Sequence, residues 1–100
     1  MVSAERIEAK SMEIADWRSR IDGLDEELVR LLNQRAEAAI AIGELKRQNG
    51  APIYEPQREQ QVYEHVKQKN VGPLTTGQLQ EIYERLMDVM RALQRPQEKQ

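Results

Sequence analysis

The sequence predicts an all-α fold of three helices per chain, one of them very long, and three observations point there. The chain is rich in Ala, Glu, Leu, Arg and Gln, residues that favour helix. A seven-residue apolar repeat begins at Ile14 and meets no proline before the cluster Asn49-Gly50-Ala51-Pro52. No segment carries the alternating pattern of a strand.

The first helix is written in two rows. Ile14, Ile21, Leu28, Arg35 and Ile42 form one, and Trp17, Leu24, Leu31, Ala38 and Leu45 form the other. Gly23 and Gly43 each cost the helix about 1 kcal/mol relative to Ala. A helix from about Ile14 to Gln48 is on the order of 50 Å long, against ~26 Å for twice the radius of gyration of a compact globule of this size. Its apolar stripe therefore calls for a second copy alongside, which makes a homodimer the expected assembly. Pro56 suits a first helical position, so a second helix runs from there to about Lys69, with Val62 and Val66 one turn apart. Asn70-Val71-Gly72-Pro73 breaks the chain again. Thr75 followed by Gln78 then reads as the capping box of a third helix, on which Leu79, Ile82, Leu86, Val89 and Leu93 keep helical spacing up to Pro96. One domain over 14–95 results, preceded by an extension or frayed start of the first helix at 1–13 and followed by a tail at 96–100.

Composition narrows the function. The chain has 100 residues and a net charge of −2, with acids and bases interspersed, so neither a nucleic-acid face nor a polybasic membrane anchor is expected. There is no Cys, and the lone His65 has no second His near it in sequence, so neither disulfides nor a metal centre are expected. The uncharged apolar stretch from Ala38 to Gly43 is far too short to span a bilayer, and the N-terminal residues build no apolar targeting segment. The expected setting is the cytoplasm.

Arg35 breaks the pattern around it. It occupies a heptad position that should be apolar, where an unpaired charge costs several kcal/mol. It needs an anion, supplied either by a glutamate across the interface or by a ligand. Lys46 lies eleven residues on, which puts it on the same face about 16 Å further up the helix, where it either lines a groove with Arg35 or reaches out to solvent. Arg18 is about 25 Å from Arg35 along one helix and could share a small ligand with it only from an antiparallel partner chain. Arg58 and Glu59 open the second helix, where Glu59 also suits the positive end of the helix dipole. Gln94 stands near the end of the third helix, His65 reads as surface, and Met87 and Met90 read as core.

Together these residues resemble the all-helical chorismate mutase family. The likeness runs from about Asp16 to Gln94 and is carried by IDGLDEELVRLLNQRAEAAIAIGELKR from Ile21, PIYEPQRE from Pro52 and NVGPL from Asn70. Its specificity lies in the ordered set Arg18, Arg35, Lys46, Arg58, Glu59 and Gln94. The resemblance implies an entwined dimer with two sites, each completed by an arginine of the other subunit, that converts chorismate to prephenate without cofactor, metal or covalent intermediate. It implies that Arg18 from the partner and Arg35 grip the substrate carboxylates, preferring bidentate geometry. Lys46 and Gln94 would stabilise charge on the ether oxygen, and Glu59 would accept the ring hydroxyl. Glu55 would contribute at the loop, and Arg58 would hold the carboxylates of that helix end in place. Two positions depart from the pattern: Glu55 stands where many relatives carry Asp and is a poorer helix N-cap, which bears on its contact with the ring hydroxyl, and Met90 stands where relatives often carry a small polar residue, which implies weakened substrate binding. The resemblance also allows fusion to, or association with, another shikimate-pathway enzyme. Two other readings stay open: an isochorismate pyruvate lyase of the same fold, and a non-catalytic helical dimer module.

Overall fold

The computed structural model describes residues 13–96, so the expectations for 1–12 and 97–100 lie outside the described residues. Three helices make up the described chain: α1 (Ile14–Asn49), α2 (Pro56–Lys69) and α3 (Thr76–Gln94), with no strand among the described residues. No helix among them is long and apolar enough to cross a membrane.

Local chemistry explains each boundary. At the start of α1 the Asp16 carboxylate accepts a hydrogen bond of 2.9 Å from the backbone N–H of Glu13, and the Glu13 carbonyl accepts from Trp17. At its end Gly50 adopts φ 67°, the left-handed conformation that glycine enters without steric cost. The N–H of Ala51 then bonds the Lys46 carbonyl at 2.8 Å and that of Gly50 bonds Arg47 at 3.3 Å, the pair of bonds that closes a Schellman turn. Pro56 begins α2 as the sequence predicts. The capping box of α3 is present in both halves: Thr75 Oγ1 accepts from the Gln78 N–H at 3.1 Å, and Gln78 Oε1 accepts from the Thr75 N–H at 3.0 Å.

The chain divides into two compact units, Met1–Gln34 and Arg35–Gln100. In the described part of the first, Ile14, Trp17, Ile21, Leu24, Leu28 and Leu31 are between 44 and 69% exposed. In the second, α2 packs on α3 and the core consists of Ala39, Val62, Met87 and Met90. Met87 and Met90 are core as expected. Within α3, however, Ile82 and Val89 of the expected stripe are exposed, because the inward face is centred on the two methionines.

The buried positions of α1 also differ from the two heptad rows. Ala39 and Gly43 are buried, whereas Ile42 and Leu45 of the rows are 46 and 56% exposed. Small residues line the inward face because another backbone comes close. A Cβ built on Gly43 would lie 2.7 Å from the Cα of Gln94 and 2.8 Å from its carbonyl carbon, nearer still to the carbonyl oxygen. Gly43 is thus a requirement of packing rather than only a loss of helix propensity. Gly43→Ala is expected to destabilise by about 1–3 kcal/mol, the usual cost of overpacking, even though Ala is the better helix former by ~1 kcal/mol. Thermal unfolding of the variant checks this, and an unchanged or higher Tm would mean that α3 can back away freely.

Candidate functional site

The second unit contains a cleft of about 740 Å³ walled by the last part of α1, the loop that follows it, the first turn of α2 and the last turns of α3. Arg35 and Lys46 reach it from α1, Glu55, Arg58 and Glu59 from the loop and α2, and Gln94 from α3. Met90 lines it one turn before Gln94, buried to 5% exposure.

Lys46 is the best-held group in it, its side chain only 11% exposed. The Schellman turn at Gly50 sends the chain back over the end of α1, which lets Lys46 Nζ donate to the Ile53 carbonyl at 2.8 Å. It also donates to Gln94 Oε1 at 2.9 Å and pairs with Glu55 Oε1 at 2.7 Å. An ammonium has three N–H groups, so all of them are engaged. Because the Gln94 carbonyl oxygen serves the lysine, its NH₂ group is left as the donor for a ligand. Arg47 Nη1 bonds the Gln94 backbone carbonyl at 3.0 Å and fixes that end of α3.

Glu55 is the N-cap residue of α2, but no hydrogen bond joins its side chain to the helix, and its carboxylate goes to Lys46 instead. Glu59 is gripped by Arg91, whose Nε and Nη2 each donate to one of its oxygens at 2.8 Å. Sequence reasoning gave the task of holding these carboxylates to Arg58, and the structure differs. Arg58 and Glu59 are adjacent on a helix, and adjacent side chains diverge by about 100°, so one cannot clamp the other. Arg58 lines the cleft as an exposed side chain. Bonding to Glu59 raises the pKa of Arg91, partly offset by burial. Burial first, then Glu84, Glu59 and Asp88, raises that of the Tyr63 phenol.

Arg35 is half-buried, and its Nη2 contacts Met87 Sδ at 3.7 Å. It forms no ion pair among the described residues. No carboxylate of this chain's described residues therefore supplies the anion that Arg35 calls for. Arg35, Lys46, Arg58 and Arg91 face only Glu55 and Glu59 as acids among the lining residues, an excess of positive charge that suits an anion, and a dianion best. Arg18 belongs to the first unit. Among the described residues no group of three or more His, Asp or Glu is placed to hold a metal ion.

Arg91 was missed by sequence reasoning. It sits four residues after Met87 and three before Gln94, so helical spacing alone puts it on their face; what concealed it was its resemblance to any other charged residue of α3.

A family model for chorismate mutase type II matches residues 17–95. The chain is 42% identical over 79 residues to a bifunctional chorismate mutase/prephenate dehydratase of Neisseria gonorrhoeae, covering 79% of this chain and 21% of that protein. It spans about a fifth of the length of the bifunctional relatives it matches. Among solved structures it is similar to a chorismate mutase of Thermus thermophilus, with a TM-score of 0.82, 26% identity and coverage of 86% of this chain and 98% of that one. It is also similar to the chorismate mutase of Helicobacter pylori in complex with prephenate, with a TM-score of 0.74, 33% identity and coverage of 81 and 88%.

Proposed function

Because the chain belongs to the chorismate mutase type II family, we propose that it isomerises chorismate to prephenate, as a homodimer whose sites each combine this cleft with the partner's Arg18. The observation that carries the reading is Arg35, a half-buried guanidinium without an ion pair among the described residues, in a cleft of net positive charge and beside a lysine and an amide already bonded to each other.

The reaction is a [3,3] sigmatropic shift in which an ether C–O bond breaks as a C–C bond forms. It needs no nucleophile. Catalysis consists of holding the enolpyruvyl arm over the ring and stabilising the negative charge that grows on the ether oxygen. Arg35 and the partner's Arg18 hold the two carboxylates, with Arg58 adding positive charge at the mouth. Lys46 and the Gln94 NH₂ donate to the ether oxygen. For the lysine to do so, one of its three acceptors must yield. Glu55, with its side chain 49% exposed, is the one that moves most readily, and its carboxylate then becomes available to the ring hydroxyl beside Glu59.

Dimerisation is supported by the apolar row from Ile14 to Leu31, which a second copy would cover. The reading also takes the cytoplasm as the compartment and another enzyme of the shikimate pathway as a partner, the latter in line with the bifunctional names of the relatives. Incubation of the purified chain with chorismate, followed by loss of diene absorbance and by the acid-catalysed conversion of prephenate to phenylpyruvate, tests it. Prephenate is the expected product. Pyruvate from isochorismate with no prephenate from chorismate would assign the lyase activity instead, and no turnover of either would leave a non-catalytic module.

A further inference from the structure

A well-braced guanidinium in the second unit is not used by the mechanism above. Arg91 meets both oxygens of Glu59 at 2.8 Å, a bidentate fork of the kind a lysine cannot make. Two further contacts fix the plane of the guanidinium without touching Glu59: it lies 5.0 Å over the Tyr54 ring, and its Nη1 reaches Asp88 at 3.3 Å. The pair joins the first turn of α2 to α3, and the two side chains are 18 and 25% exposed at the wall of the cleft.

We propose that Arg91 is a positioning residue, acting through Glu59: its fork holds that carboxylate in one orientation to accept a hydrogen bond from the ring hydroxyl of the substrate. The inference rests on the chorismate reading above. A carboxylate has about four lone-pair sites and the fork takes two, so acceptor capacity remains. An unbraced Glu59 would rotate and lose its aim at the ring hydroxyl. A bridge that only stapled α2 to α3 would affect every substrate alike, whereas a positioning residue matters only to a substrate that carries the hydroxyl.

The experiment measures kcat/KM of the full chain and of Arg91→Met on chorismate and on the analogue with hydrogen in place of the ring hydroxyl. Arg91→Met is expected to lose about 10-fold or more on chorismate, the scale of one hydrogen bond to a charged group, but less than about 2-fold on the analogue. Placed on a Glu59→Gln background, the same substitution should add little further loss. Arg91→Lys, which keeps the charge and not the fork, should behave like Arg91→Met and carries the test if the methionine variant does not fold. Equal losses on the two substrates, no loss on chorismate, or losses that simply multiply with Glu59→Gln overturn the proposal. If the unaltered chain leaves chorismate unchanged, the functional reading falls and the role of Arg91 with it.

Discussion

Lys46→Ala is expected to lower kcat by about 10²–10³-fold, the usual consequence of removing one donor from a developing oxyanion. The ammonium is already desolvated and aimed, with its side chain 11% exposed and three acceptors around it, so little reorganisation is needed when charge appears on the ether oxygen. The substitution also frees the Ile53 carbonyl, the Gln94 amide oxygen and the Glu55 carboxylate. Some loosening of residues 51–55 should therefore accompany the loss, with α1 to α3 intact. Saturation kinetics together with far-UV circular dichroism separate the two effects. If kcat is unchanged while helicity is retained, Lys46 has no place in the chemistry.

Arg18→Ala and Arg35→Ala should each cost about 10²–10³-fold in kcat/KM, because a bidentate contact to a desolvated carboxylate is worth several kcal/mol to the complex. Their mixture should do better than either. In a dimer formed from one chain of each kind, one site keeps both guanidiniums and the other keeps neither. Random pairing of equal amounts makes half the dimers mixed, so activity should return to about a quarter of the unaltered level. Size-exclusion chromatography with differently tagged chains verifies exchange. No recovery among proven mixed dimers would mean that the two arginines do not serve one ligand across subunits.

Features set by short-range chemistry were legible in the sequence. Pro56, the pair Thr75 and Gln78, and the Asn49-Gly50 stop each act within a few residues, and the helix boundaries they imply agree with those observed. Arg35 was legible as a violation: a charge in an apolar row announces that something unusual surrounds it. What stayed hidden depends on which elements meet in space. Gly43 looked like a mere cost to its helix because the backbone of Gln94, which demands it, lies far along the chain. The heptad rows marked apolar residues correctly, yet the small residues between them form the face that is buried in the second unit, since close approach of helices selects for small side chains rather than oily ones. Arg91 was passed over for the same reason. Its importance comes from Glu59, thirty-two residues away in sequence, and no pattern local to α3 points to it.

The contact at Gly43 limits how this protein can change. With two backbones touching and no side chain between them, α1 and α3 act there as a fixed jaw, and the spacing of Lys46 from Gln94 is cast in main chain. Reshaping the cleft for a bulkier or differently substituted molecule has to proceed through the opposite jaw, the segment from Ile53 to Glu59, where a half-exposed carboxylate and an exposed arginine can be exchanged without disturbing the contact of Gly43 with Gln94.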